Sequence, residues 1–189
     1  EVEICVSYDP QDVLLVKDLL LDIMNSAVKR LPAFLPLESL DATLLMAFEW
    51  MDGIVQVLAC GDGVILARKN GQIETWEIDF EGAPAYLSYT LGGERYKRYI
   101  EEGWGKRTVT YMINGVVKEK EETNPYFEED APPTPFVWEK SFGEEYDLVM
   151  LLTDGVLSFQ STEDLGSISL EDIIPYITDF RVKTEGFLV

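Results

Sequence analysis

The sequence contains no histidine. That excludes Ser-His-Asp and Cys-His catalysis and every metal site built on imidazole. Any catalysis must rest on carboxylates, a metal ion, lysine or tyrosine. Cysteine is nearly absent as well. Cys5 and Cys60 lie in separate apolar, strand-like contexts without CxxC spacing, so neither a disulfide framework nor a zinc site is expected. Buried free thiols suit a reducing cytosol, and a cytoplasmic location is the expectation. Basic residues are scarce: Lys+Arg number 15 against Asp+Glu 35, a formal net charge of −20. Nucleic acid and anionic lipid are polyanions, so binding to either is not expected. No apolar run is long enough to cross a bilayer, and no signal peptide is evident.

What is present has a globular character: 189 residues, 47% hydrophobic and 12% aromatic. The length predicts one domain over residues 1–189, with enough chain to bury a core. Glu1 in place of an initiating Met suits a processed protein or an excised fragment.

Along the chain, alternation over residues 2–6 reads as a strand, and Asp9-Pro10 as the start of a helix over 11–31. Val13, Val16, Leu19, Leu20, Ile23, Met24, Ala27 and Val28 form its apolar stripe, and Pro32 ends it. Strands are predicted at 42–50, Ile54–Cys60, 64–68 and 72–78. Met51-Asp52-Gly53, Gly61-Asp62-Gly63 and Asn70-Gly71 join them. Tight turns throughout predict an antiparallel meander and exclude a doubly wound parallel sheet. Residues 85–100 read as a Tyr-rich, partly helical insertion, and 107–113 with 116–120 as a hairpin over Asn114-Gly115. Residues 119–135 read as an acidic exposed loop, 136–140 as a short strand and 148–152 as a buried one. A helix starts at Ser169 and runs through Ile173, Ile174 and Ile177.

Two of these strands end alike. The strand Ile54–Cys60 runs into Gly61-Asp62-Gly63, and the strand 148–152 into Thr153-Asp154-Gly155. Each acid alone has a plain reading, a tight turn in which Asp accepts backbone hydrogen bonds. Together they point further. Carboxylates at the ends of buried strands need a partner. Mg²⁺ and Mn²⁺ prefer oxygen ligands and keep several waters, so few protein carboxylates suffice. Asp62 and Asp154 are therefore the candidate metal ligands.

The order of the pieces resembles the metal-dependent protein phosphatases of the 2C type, in particular a bacterial branch. The stretches that carry the resemblance are residues 40–45, with Thr43 opening a strand; Gly61-Asp62-Gly63-Val64-Ile65; Ala83-Pro84-Ala85-Tyr86-Leu87-Ser88-Tyr89; and Asp154-Gly155-Val156-Leu157-Ser158-Phe159. The resemblance spans residues 12–189 and implies an α+β fold, two packed antiparallel β-sheets flanked by helices in an α-β-β-α sandwich. It implies hydrolysis of phosphoserine and phosphothreonine in a phosphorylated protein substrate, by a water that bridges two Mn²⁺ or Mg²⁺ ions. Asp154 would be a ligand of the binuclear centre. Asp62 would help to hold an additional, weaker metal with Asp154.

The chain departs from that pattern at its ends. The family's early Asp-Gly is replaced by Ser7-Tyr8-Asp9-Pro10, its closing Asp-Asn or Asp-Asp has no counterpart before Val189, and no basic phosphate-binding residue stands near the start. Two readings follow: a phosphatase domain incomplete at both ends, or a degenerate phosphatase-like module that binds or regulates a partner. A third is an unrelated antiparallel α+β interaction domain whose Asp-Gly turns are only turns. The segment with Tyr86, Tyr89, Tyr96 and Tyr99 beside Arg95, Lys97 and Arg98 reads either as packing or as a substrate-side flap that contacts a phosphopeptide.

Overall fold

Three short turns close hairpins. The computed structural model describes residues 13–80, 83–91, 93–104, 106–123, 135–143, 145–161 and 166–179. Strand β1 (Leu44–Glu49) returns as β2 (Ile54–Cys60). Gly53 takes φ +79° at the bend, and the Ile54 N–H donates to Asp52 Oδ1 at 3.2 Å. Strands β3 (Gly63–Lys69) and β4 (Gln72–Phe80) meet at Asn70-Gly71, where both φ angles are positive. That is the geometry Asn-Gly favours in a two-residue hairpin. Strands β5 (Lys106–Ile113) and β6 (Val116–Thr123) repeat it at Asn114-Gly115.

The expected meander is not what forms. Strands β2 and β3 are consecutive in sequence but lie in different sheets. One sheet has the order β1-β2-β7, with β7 at Phe136–Ser141. The other has the order β6-β5-β4-β3-β8, with β8 at Tyr146–Leu152. All strand pairs are antiparallel. Gly61-Asp62-Gly63 is thus a crossover between sheets. β2 and β3 already have two partners each, and apolar runs buried on both faces carry no signal of which strand lies alongside.

Among the described residues the fold is α+β, two antiparallel sheets with three helices, and these residues fall into two compact units that divide between Thr153 and Asp154. In the first unit the sheets share a core. Val55, Val57 and Ala59 of β2 meet Ile65 and Ala67 of β3, Trp76 and Ile78 of β4, and Trp138 of β7. The opposite face of β2 presents Cys60, which packs with Leu20 and Met24 of helix α1 (Val13–Arg30) and with Leu87. The alternation of a strand thereby sorts one segment between two cores. Each fully buried Leu or Met contributes about 1.5–3 kcal/mol. The stripe on α1 is narrower than expected: Leu19 is 39% exposed, because contact centres on Leu20 and Met24, four residues apart.

Helix α2 (Gly93–Glu101) lies in the same unit, beside a 3₁₀ turn at Leu87–Leu91. β8 is half-buried over 148–152, not buried as expected; among the described strands β3 is its one neighbour. Residues 119–123, expected in a loop, continue β6. The second unit holds a 3₁₀ turn at Asp154–Ser158 and helix α3 (Leu170–Thr178). Ser169 caps α3 by accepting the Asp172 N–H, and Ile173 and Ile174 are buried. The expected strand at 2–6, the Asp9 cap, the loop over 124–134 and the tail over 180–189 lie outside the described residues. Among the described residues no helix is long and apolar enough to cross a membrane.

Candidate metal site and its surroundings

The crossover that carries Asp62 is built for close approach. Gly61 takes φ +97°, and a Cβ there would stand 2.9 Å from Thr43 Oγ1. A Cβ on Gly63 would stand 3.1 Å from the Leu152 carbonyl oxygen and 3.0 Å from Leu45 Cδ1. Both glycines are therefore fixed by packing as well as by the turn. Asp62 is half-buried, and its Oδ1 accepts the Phe80 N–H at 2.9 Å, at the end of β4.

β3 and β8 pair from Lys69↔Tyr146 to Val64↔Leu152. Asp62 precedes Val64 by two residues in sequence, and Asp154 follows Leu152 by two. Asp154 belongs to the second unit, is exposed, and opens the 3₁₀ turn there.

Three of the stretches that carry the family resemblance meet in the first unit. Thr43 lies on Gly61, Leu45 on Gly63, and Asp41 Oδ1 accepts the Ser88 hydroxyl at 2.5 Å. Asp41 Oδ2 also accepts from Arg95 Nη2 of α2 at 2.6 Å, and Arg95 Nε lies 3.4 Å from Glu38 Oε1. The Arg95 guanidinium sits 5.0 Å from the Tyr89 ring centre. Arg95 is thus engaged within the protein; Arg98, further along α2, is exposed.

The tyrosines of this region pack. Tyr96 and Tyr99 are buried, Tyr99 donates its hydroxyl to the Ala83 carbonyl at 3.0 Å, and the Tyr89 and Tyr99 rings are 4.9 Å apart. Burial pushes the Tyr96 phenol up to about 12. Burial also raises Tyr99, helped by Tyr89 and by the negative charge of Asp62. Next to the turn, burial pushes the Cys60 thiol up to about 12, against a smaller lowering by the Arg107 charge. Such a thiol is not a nucleophile at neutral pH.

A carboxylate such as that of Asp62 or Asp154 is a ligand type suited to a hard, largely hydrated ion. Among the described residues no group of three or more His, Cys, Asp or Glu is gathered to hold a metal.

Two clusters escaped the sequence reading. The Asp41–Ser88–Arg95 network joins residues far apart in the chain, which no local pattern signals. Glu74 is 5% exposed and accepts the Tyr146 hydroxyl at 2.7 Å. Strand parity would have found it, since Glu74 shares a face of β4 with Trp76, Ile78 and Phe80. No protein-family model, curated protein or solved structure matches this chain.

Proposed function

We propose that the chain is a metal-dependent serine/threonine phosphoprotein phosphatase of the 2C type, acting in the cytoplasm on phosphorylated protein with Mn²⁺ or Mg²⁺, and with Asp62 and Asp154 as metal ligands. The observation that supports this reading is that residues 40–45 touch two of the other stretches, Gly61 and Gly63 through Thr43 and Leu45, and Ser88 through Asp41. Divalent ions in such a site supply an activated water and offset negative charge on the phosphoryl oxygens. The chain's own contribution is to hold Asp62 in one orientation through the Phe80 N–H, and to keep carboxylates rather than side-chain nucleophiles at the reacting end. Arg98, exposed on α2, supplies positive charge for a phosphorylated segment in an otherwise acidic protein.

A second reading, a non-catalytic phosphatase-like module that binds a partner, is favoured by one observation. Asp41 and Arg95 are engaged with each other, and Asp62 with the backbone of Phe80. Hydrolysis of p-nitrophenyl phosphate by the full-length protein, with and without Mn²⁺, separates the two. The phosphatase reading expects a Mn²⁺-dependent rate. A rate at background at every Mn²⁺ concentration supports the module.

A further inference from the structure

We infer that Asp41 is a positioning residue for Asp62: its carboxylate clamps the 3₁₀ turn Leu87–Leu91 and helix α2 against the crossover that carries the candidate ligand. The significance of this for catalysis rests on the reading of Asp62 as a ligand; the coupling itself does not.

Both carboxylate oxygens of Asp41 are engaged, each with a different element. Oδ1 accepts from Ser88, which is 0% exposed, and Oδ2 accepts from Arg95, whose side chain is 18% exposed. From Asp41 two paths lead to Asp62. The first runs along the chain. Asp41 is extended, at φ −72° and ψ 102°, and Thr43, two residues on, lies against Gly61. The second runs through α2. Arg95 and Tyr99 are four residues apart and share one face of the helix. Arg95 is held by Asp41, both side chains meet Tyr89 between them, and Tyr99 donates to the carbonyl of Ala83, three residues after the Phe80 whose N–H holds Asp62.

The energetics favour a clamp over an incidental contact. The Asp41–Arg95 pair is only partly exposed, 23% and 18%, so removing Asp41 leaves the guanidinium incompletely solvated. Without Asp41 the guanidinium retains Glu38, which is 57% exposed and more distant. The N-terminal turn of α2 would then lose its tie to residue 41, and the packing of Arg95 and Tyr99 on Tyr89 would loosen.

Amide hydrogen exchange on the full-length protein tests this, with Asp41→Asn, Arg95→Gln and the double variant. The reporter is the Phe80 amide, which donates to Asp62 Oδ1. Asp41→Asn is expected to speed its exchange about tenfold, along with the amides of α2. The Gly53 amide, bonded to the Trp50 carbonyl at the other end of β2, should be unchanged. The double variant should be no worse than the worse single one, because both remove the same tie. Arg95→Lys, which keeps the charge but loses the fork that spans Asp41 and Glu38, should give Phe80 exchange between that of the original protein and that of Arg95→Gln. If Asp41→Asn does not fold, the two Arg95 variants decide between the outcomes: a Phe80 change larger in Arg95→Gln than in Arg95→Lys supports the clamp, and no change in either, or an equal change in both, overturns it. Loosening of α2 with unaltered Phe80 protection would overturn it as well, leaving only a structural tie. Absence of Mn²⁺-dependent activity in the original protein would sink the phosphatase reading and leave the exchange result standing.

Discussion

The turns at Asp62 and Asp154 read alike, an apolar strand followed by an acid next to glycine, yet the protein treats them differently. Asp62 lies between β2 and β3, each flanked on both sides, in a turn that needs φ +97° at Gly61. It is half-buried and bonded to the Phe80 backbone. Asp154 follows β8, which has one partner among the described strands, and is exposed at the start of a 3₁₀ turn. The same motif is half-buried where both flanking strands have two described partners and exposed where the preceding strand has one. A motif names the residue; the place of its strand in the sheet determines the residue's surroundings.

The largest expected contrast is at the glycines. Gly61→Ala combines a positive φ with a Cβ 2.9 Å from Thr43 Oγ1, and should lower stability by about 3 kcal/mol. Gly155→Ala, in a right-handed 3₁₀ turn, should change it by less than about 0.5 kcal/mol. Urea denaturation of the two variants checks this. Equal losses would mean that the crossover is no more constrained than the exposed turn.

The acids themselves should follow. Asp62→Ala removes the acceptor of the Phe80 N–H and should cost about 1–3 kcal/mol. Asp154→Ala should leave stability within about 0.5 kcal/mol. A thermal melt of each variant decides it. A strongly destabilised Asp154→Ala would erase the distinction between the two turns.

The smallest expected effect is on the pH dependence of stability between about pH 9 and 10. Cys60 stands two residues before Asp62, and burial raises its thiol from 9.0 to about 12. Below pH 9 both folded and unfolded states hold the proton, and the contribution to stability is complete. Between pH 9 and about 12 only the unfolded state releases it, so stability falls as pH rises, by at most about 1.4 kcal/mol per unit. Cys60→Ala should flatten the slope of unfolding free energy between about pH 9 and 10. An unchanged slope would mean that the thiol is not the titrating group. Tyr99 and Tyr146, also raised by burial from 10.0, add to the fall at higher pH.

These contrasts also mark how far the sequence could be read. Asp52-Gly53, Asn70-Gly71 and Asn114-Gly115 each closed the expected hairpin, because a local φ requirement selects glycine or asparagine directly. Ser169 capped the expected helix for a similarly local reason. Gly61-Asp62-Gly63 obeyed the same chemistry but joined two sheets, because strand partnership is a long-range property. The half-burial of β8 and the exposure of Leu19 went unread for that reason too. At the candidate site, Asp62 and Asp154 were visible as acids at strand ends. The network of Asp41 with Ser88 and Arg95 was not, since it joins positions 47 and 54 residues apart.

The most direct test of the central claim is Asp154→Ala in the p-nitrophenyl phosphate assay, made on full-length protein whose melt shows it folded. Asp154 as a metal ligand predicts normal stability with Mn²⁺-dependent hydrolysis reduced to background. A folded variant that keeps the full Mn²⁺-dependent rate would contradict that role.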